Sequence, residues 1–211
     1  MPSLKEIKNR ITSVQSTRKI TSAMKMVASS KLHHAQMMIE NMLPYENLLE
    51  SMLKTYLEAE VDARTVLTLP REVKKAALIV FASNSSLCGG FNANVLKMMQ
   101  QAVDGYKKRG VEVIIYPVGR KVSEKVNKLG LNTAGNFNSL ADKPNARDCV
   151  KIGEELQELF RKDEIDAVEM IYHHFKSAGS QILLTKKLLP IDVEKAMDYD
   201  HTRDLENNVV T

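Results

Sequence analysis

The sequence predicts an α/β protein in two parts: a long N-terminal coiled-coil-type helix, and an open, mostly parallel (Rossmann-like) domain with helices on both faces. Two observations carry this prediction. The chain has no glycine before Gly89, and apolar residues recur at helical spacing from Leu4 to about Ala59. Four apolar runs of strand length follow residue 75, and helical segments separate the first three. Alternating strands and helices are typical of a parallel sheet with right-handed crossovers.

The opening helix carries a heptad repeat. Steps of three and four residues place a set of mostly large side chains on one stripe, as a left-handed coiled coil requires. This set, called the seam, is Leu4, Ile7, Ile11, Val14, Ala28, Leu32, Ala35, Ile39, Met42, Leu49, Leu53 and Tyr56. Ser3 and Glu6 have the spacing of a capping box at the N-terminus. Pro44 is expected to kink the helix or to interrupt its hydrogen bonding locally.

The seam is interrupted, and its first half is basic. Arg18, Thr21 and Lys25 occupy seam positions, and Glu46 occupies another. Residues 1–34 hold seven lysines and arginines against one acid, Glu6. The concentrated positive charge predicts an anionic partner for this half of the helix.

The remaining elements follow in order. A polar connector is predicted over 61–75, an α/β globular domain over 76–190 and a polar, acidic tail over 191–211. Strands are expected at Ala76–Ala82, Val111–Val118, Ala167–Phe175 and Gln181–Leu189, the last of which could pair antiparallel. Helices are expected from about Asn94 to Arg109, from Gly119 to Leu129, and from Asp142 or Pro144 to about Lys162.

Composition narrows the class of protein. The hydrophobic content of 44% and the charged content of 27% are ordinary for a globular chain. The two cysteines, Cys88 and Cys149, form neither a disulfide framework nor a metal-ligand pair, which favours a reducing compartment. No run of eighteen apolar residues occurs, so no membrane-spanning helix is predicted.

No arrangement of residues identifies an enzyme. Gly89 and Gly90 lie between a strand and a helix, but neither phosphate-binding glycine motif is present, so a tight turn is the better interpretation. Cys88 has no recognisable base beside it. The adjacent pairs His33–His34 and His173–His174 cannot readily chelate a metal, because neighbouring side chains diverge on helices and strands. We therefore predict no catalytic residue, no metal and no cofactor.

Three partners remain open for the basic half of the helix. Anionic lipid would need more large apolar anchors on the polar face. Nucleic acid would call for denser arginine clustering. A protein sleeve lined with acidic residues fits the interrupted seam best, because a sliding shaft cannot present a continuous adhesive stripe. A nucleotide-binding α/β enzyme with a helical dimerisation arm is the alternative function.

Residues 3–11 read SLKEIKNRI and residues 17–31 read TRKITSAMKMVASSK. These two segments resemble the N-terminal motifs of the gamma subunit family of the F-type ATP synthase. Residues 83–92, SNSSLCGGFN, match the family's S-D-R-G-L-C-G-G-x-N signature around the turn formed by Leu87, Cys88, Gly89 and Gly90, with its acidic–basic pair replaced by Asn84 and Ser85. Residues 175–181 and 188–190 also resemble the family, so the similarity covers essentially the whole chain.

The resemblance implies a central-stalk rotor of the proton-translocating complex. Its long helix would turn inside the ring of alpha and beta subunits of the F1 (CF1) sector, and its α/β domain would meet the epsilon subunit and the membrane c-ring. Such a subunit catalyses nothing and binds no nucleic acid. It would be peripheral, at the cytoplasmic face of a bacterial inner membrane. Met24 and Lys25 would lie where shaft and ring are coupled, and Arg10, Arg18 and Lys31 would contact the ring.

The family's second long helix has no counterpart here. Family members continue into a C-terminal helix that runs antiparallel to the first, whereas this sequence stops at Thr211. The seam therefore lacks a mate within the sequence. We expect the isolated chain to self-associate through the N-terminal helix or to fray there.

Overall fold

The computed structural model describes residues 3–59, 65–177 and 179–192. The chain divides into two units, Met1–Ala59 and Glu60–Thr211. The acidic tail predicted from 191 lies outside the described residues from 193 onward, as do residues 61–64 of the predicted connector.

The first unit is a single helix, α1, over Leu4–Ala59. At about 1.5 Å per residue its 56 residues span about 84 Å. The predicted capping box is confirmed: the Ser3 amide donates to Glu6 Oε2 at 2.8 Å, and the Glu6 amide donates to Ser3 Oγ at 3.3 Å. Pro44 lies inside the helix without ending it. Because proline has no N–H, one backbone hydrogen bond is lost there while helical geometry continues on both sides.

The second unit is built on a four-stranded sheet. The strands are β1 (Lys75–Phe81), β2 (Glu112–Val118), β3 (Ala167–Ser177) and β4 (Ser180–Leu189), in the order β2-β1-β3-β4. β1 pairs in parallel with both β2 and β3, and β4 returns antiparallel to β3. The prediction of an open, mostly parallel sheet is therefore confirmed.

Helices cover both faces of the sheet. They are α2 (Phe91–Lys108), α3 (Arg120–Leu129) and α4 (Ala146–Arg161), with a short 3-10 turn at Asn138–Ala141. Alternate β1 residues enter two separate cores, because successive strand side chains point to opposite faces. Leu78 and Val80 pack in the core that α2 and α3 complete, whereas Ala77 and Ile79 pack in the core that α4 completes.

The strand sequences match their places in the sheet. β1 has a strand on each side and a helical layer on each face, which explains its uninterrupted apolar run. β2 is an edge strand of this sheet and contains Pro117. An edge strand tolerates proline because one side of its backbone is free of ladder hydrogen bonds.

Two predicted helix starts were wrong by a few residues. α2 begins at Phe91 rather than near Asn94, because the turn before it feeds directly into the helix. α4 begins at Ala146 rather than at Asp142 or Pro144. Its N-cap is Asn145, whose Oδ1 accepts from the Asp148 amide at 2.9 Å, whereas Asp142 accepts a hydrogen bond from Asn84 instead.

Asp166 joins the amino ends of β1 and β3. Its Oδ2 accepts from the backbone amides of Lys74 and Lys75, each at 2.9 Å, and its own amide donates to the Lys75 carbonyl at 2.8 Å. Arg71 lies beside it, with Nε 3.3 Å from Asp166 Oδ1 and the guanidinium 3.8 Å above the Phe160 ring. Asp166 is buried, so this carboxylate is held by hydrogen bonds and an ion pair away from water.

Replacing Asp166 should therefore destabilise the second unit. Asp166→Ala removes the acceptor of two amides and one of the two carboxylates paired with Arg71, which keeps Asp163, so we expect a loss of about 1–3 kcal/mol in the free energy of unfolding. Urea unfolding followed by tyrosine fluorescence measures it. Glu72→Ala is the matched control, because Glu72 forms only an exposed ion pair with Lys74 and should change stability by less than about 0.5 kcal/mol. Equal midpoints for the two variants would contradict this role of Asp166.

Candidate functional site

The seam of α1 is exposed along the length of the helix. The large seam side chains range from 36% exposed at Ile39 to 87% at Leu4, and Ala35 is half-buried. Burying one large apolar side chain contributes on the order of 1.5–3 kcal/mol. A row of such residues is therefore a candidate surface for a partner helix.

The interruption of the seam lies on the same stripe. Arg18 and Lys25 are seven residues apart and so occupy equivalent heptad positions, with Thr21 between them. The Thr21 hydroxyl donates to the Thr17 carbonyl at 2.9 Å, so its hydrogen-bond partner lies within the same helix. The two cations are exposed and free to meet an external partner. Over this interval the stripe changes from apolar to basic.

The other predicted contact residues also lie on the surface of α1. Arg10, Met24 and Lys31 are exposed, and Met24 is 53% exposed. Met24 lies beside Ile20 and Val27 at helical spacing, which makes a second small apolar patch rotated from the seam. The structure brings these residues together on one helix but shows no partner against them, so their roles remain predictions.

The exposed seam generates a test of self-association. We expect the isolated chain to form dimers or larger assemblies through residues 4–56, or to fray there. Sedimentation equilibrium should show association that Leu32→Glu weakens at least tenfold, because it places a charge on the seam. Met26→Glu makes the same kind of change on an exposed residue off the seam and should leave association unaltered. A monomer whose amides over 4–56 are fully protected from hydrogen exchange would contradict the expectation.

The signature turn is a tight turn, as predicted for its two glycines. The Phe91 amide donates to the Cys88 carbonyl at 3.2 Å, and Gly89 has a φ of 56°, a conformation that favours glycine. Gly90 directly precedes α2 as its N-cap. The turn therefore ends a buried strand and starts a helix within a few residues. Leu87 projects from it and is 83% exposed.

The buried side chain of Asn92 stabilises the signature turn through hydrogen bonds, a role that the sequence motif alone did not reveal. It is one of the few buried polar residues among those described. Its Oδ1 accepts from the Ser83 amide at 3.0 Å, and its Nδ2 donates to the Ser85 carbonyl at 2.8 Å and to Cys88 Sγ at 2.9 Å. Cys88 is thus a hydrogen-bonded member of the turn. The only sequence signal was the place of Asn92 as the last residue of the signature.

Asn84 connects the turn to two other segments. Its Nδ2 donates to the Asn138 carbonyl at 2.9 Å and to Asp142 Oδ2 at 2.7 Å, and its Oδ1 accepts from the Arg120 amide at 2.7 Å. An amide side chain has donors and an acceptor, whereas an ionised carboxylate has acceptors only. The asparagine that replaces the family's aspartate therefore has a structural role here, beside the aspartate at 142.

Restoring an acid at position 84 should cost stability. Asn84→Asp places two carboxylates within hydrogen-bond distance, so we expect a loss of about 1–3 kcal/mol at pH 7. The pKa of one carboxyl in the pair would rise in the folded state, so the deficit should shrink as the pH falls from 7 toward 4. Urea midpoints across this range measure it. Asp142→Asn in the same chain should recover part of the loss; no recovery, with a deficit independent of pH, would show that repulsion is not the cause.

Gly119 fixes the approach of α3 to the end of β1. A Cβ built on it would lie 2.0 Å from the Ala82 carbonyl oxygen, and its φ is 108°. A side chain at position 119 would push the end of β2 away from the end of β1. The Lys121 amide then donates to the Ser83 carbonyl at 3.3 Å, which ties the helix to the start of the signature turn.

A cavity of about 480 Å³ opens at the carboxyl ends of β1 and β2, against the middle of β3. Phe91 and His173 form part of its wall, with ring centroids 4.1 Å apart and 21° between the ring planes. Burial lowers the pKa of His173, which favours the neutral imidazole. Of the described residues that line the cavity, none carries a formal charge near neutral pH. Phosphate recognition normally uses cations or helix N-termini, so this lining gives no support to a nucleotide site.

The two adjacent histidines of β3 point in opposite directions. His173 and His174 are neighbours on β3, paired with Leu183 and Ile182 of β4, so their side chains leave opposite faces of the sheet. Over residues 3–59, 65–177 and 179–192 the structure contains no group of three or more potential metal ligands. In the same ranges no helix is long and apolar enough to cross a bilayer.

These features define a class of protein. A helix of about 84 Å presents an apolar stripe whose large side chains are exposed among the described residues, and a separate α/β unit carries a signature turn at the carboxyl edge of its sheet. This combination is typical of a protein that contacts a partner through a long helix.

Comparison with known proteins identifies the family. A family model described as ATP synthase matches residues 3–210. The ATP synthase gamma chain of Bacteroides fragilis is 50% identical over 211 residues, which is 100% of this chain and 73% of that one. The gamma chain of Phocaeicola vulgatus is 52% identical over 194 residues, covering 92% of this chain and 67% of that one. The chain therefore belongs to the ATP synthase gamma chain family.

A solved structure has the same fold. The central stalk and c-ring structure of the Tetrahymena thermophila mitochondrial ATP synthase contains a chain with a TM-score of 0.60. The two share 22% sequence identity, and the match covers 85% of this chain and 84% of that one. At this identity the similarity concerns the fold alone.

Proposed function

We propose that this protein is the central-stalk rotor subunit of a proton-translocating F-type ATP synthase. The observation that carries the proposal is α1: a helix of 56 residues with an exposed apolar seam that becomes basic at Arg18 and Lys25. Membership of the gamma chain family supports it. In this role the protein couples proton-driven rotation to ATP synthesis or hydrolysis in the beta subunits and performs no catalysis itself.

The first half of α1 is the surface for the alpha and beta subunits. Positive charge on exposed residues attracts an acidic partner over about 8–10 Å at physiological ionic strength without a fixed interlocking geometry. A shaft that must rotate inside a ring needs such contacts, because tightly packed apolar contacts would hold it at one angle. Arg10, Arg18, Lys25 and Lys31 supply the charge, and Met24 lies among them as an apolar contact.

The remaining partners follow from the same role. The α/β unit is the part that meets the epsilon subunit and the membrane c-ring, so the protein reaches the membrane only through the complex. The Bacteroides fragilis and Phocaeicola vulgatus relatives are bacterial proteins, which supports a peripheral position at the cytoplasmic face of the inner membrane.

The nucleotide-binding enzyme with a dimerisation arm is not supported. The Bacteroides fragilis relative, an ATP synthase gamma chain, matches the whole of this chain. The cavity at the carboxyl edge of the sheet has an uncharged lining, which does not favour a nucleotide.

Charge reversal on the shaft tests the proposal. The chain, completed with the C-terminal segment of the Bacteroides fragilis gamma chain, is reconstituted with alpha, beta and epsilon subunits and c-ring in vesicles. Lys25→Glu combined with Met24→Ala should lower the ratio of protons pumped to ATP hydrolysed severalfold while assembly is retained, because the shaft then repels an acidic ring surface. Simultaneous ATPase and pH-gradient measurements give this ratio.

Lys128→Glu is the control, because it reverses one exposed charge on α3 instead of α1. It should leave the ratio unchanged. An unchanged ratio for the Met24 and Lys25 variant would remove these residues from the coupling surface. Failure of the unmodified chain to assemble with the ring would refute the rotor function itself.

A further inference from the structure

One face of the sheet has room for a second helix. Four strands about 4.8 Å apart make a sheet about 19 Å wide, and packed helices lie about 8–10 Å from each other, so two helices cover one face. α2 and α3 cover the face that carries Leu78 and Val80. Among the described residues of this unit, α4 is the only α-helix on the other face. A strip of that face about one helix wide therefore lies beside α4.

A groove of about 380 Å³ runs between α4 and the strands of this face. Cys149, Gly153 and Leu156 line it from α4, and Val168 and Leu188 line it from the sheet. A Cβ built on Gly153 would meet no heavy atom within 4 Å, so the surface of α4 is open there. Glycine allows another backbone to approach closely. The groove therefore suits a short helix packed against α4.

The chain reaches the rim of this groove at Ile191. The Ile191 amide donates to the Leu67 carbonyl at 2.8 Å, and both residues line the groove. Phe81 lines the other end. From the level of Val168, which pairs with Ala77, to Phe81 is a distance of four residues along β1, or about 13 Å. A helix of eight residues is about 12 Å long, so it matches this part of the groove.

The residues that come next in the chain have the sequence pattern of such a helix. They lie outside the described residues, and residues 193–200 read VEKAMDYD. Val193, Ala196 and Met197 recur at the i, i+3, i+4 spacing of one helix face, and the intervening residues are charged. The segment that begins at the rim of the groove therefore carries an apolar face of matching length.

We propose that residues 193–200 dock in this groove as a short helix, with Val193, Ala196 and Met197 facing α4 and the sheet. The docked segment completes the helical layer on this face and fixes the direction in which the chain leaves the α/β unit. The site lies within this unit and makes no use of the shaft surface, so the docking and the rotor function can fail independently.

A photo-cross-link identifies the occupant of the groove. The full chain is made with p-benzoylphenylalanine in place of Cys149, which lines the groove, and is irradiated. Mass spectrometry of the tryptic digest should find the cross-link on the peptide 196–203, which contains Met197. The matched control carries the same amino acid in place of Val150, which is 55% exposed and lies outside the lining, and should not give this product.

Mixed ¹⁴N- and ¹⁵N-labelled chains show whether the two cross-linked peptides come from one molecule. A cross-link within one molecule to peptide 196–203 supports the proposal. A cross-link to α1, a cross-link between two copies of the chain, or no cross-link at position 149 would overturn it.

A pair of variants tests which face of the segment docks. Met197→Asp would bury an unpaired charge in the groove, so the yield of the cross-link from position 149 should fall about tenfold or more. Tyr199→Asp adds the same charge away from the apolar face and should leave the yield unchanged. Equal yields for the two variants would overturn the proposed docking.

Discussion

The apolar seam of α1 is the constraint on which the first unit depends. A helix can satisfy its backbone hydrogen bonds internally, but it cannot bury its own side chains. Isolated helices gain little from propensity alone, so most helical stability in proteins comes from packing an apolar face. With large seam residues from 36% to 87% exposed, α1 carries an apolar stripe that packing against a partner would stabilise. The prediction of a partner therefore rests on the physics of the helix as well as on its family.

The interruption of the seam gives that partner surface two different parts. Where the stripe is apolar it favours close helix packing, which holds two helices at a fixed register. Where Arg18 and Lys25 replace apolar residues, close packing would desolvate two cations, so a solvated acidic surface is the better match. One helix can thus be held firmly by a helix partner at some positions and make looser electrostatic contacts at others. In the proposed rotor, the apolar positions would hold a partner helix and the basic positions would face the ring.

The α/β unit is organised by polar side chains at the two ends of its sheet. At the amino end, Asp166 accepts the amides that lead into β1. At the carboxyl end, Asn92 satisfies backbone groups of the turn that leaves β1, and Asn84 accepts from the Arg120 amide at the start of α3. Loops cannot satisfy all their backbone groups by themselves, and unpaired buried groups are costly. These side chains allow short loops to pack against the ends of buried strands.

Much of this architecture is local information and could be predicted. The capping box at Ser3 and Glu6, the buried strand β1 and the tight turn at Gly89 each follow from spacing and residue type over fewer than ten positions. The starts of α2 and α4 were misplaced, because both depend on distant contacts. Asp142 has the side chain of an N-cap but is engaged by Asn84, 58 residues earlier, and Asn145 takes the cap instead.

The sequence by itself determined the long helix, the stripe along it, the basic charge of its first half and the order of strands and helices. Periodicity and charge are properties of consecutive residues, so no tertiary structure is needed to see them. Only the tertiary structure decided what Asn84, Asn92 and Asp166 do and where a cavity opens. Those outcomes depend on which chain ends the sheet brings side by side, and a linear sequence does not display that proximity. Position 84 illustrates the difference. From the sequence, the asparagine there is only the loss of the family's aspartate charge, whereas in the structure Asn84 donates a hydrogen bond to Asp142.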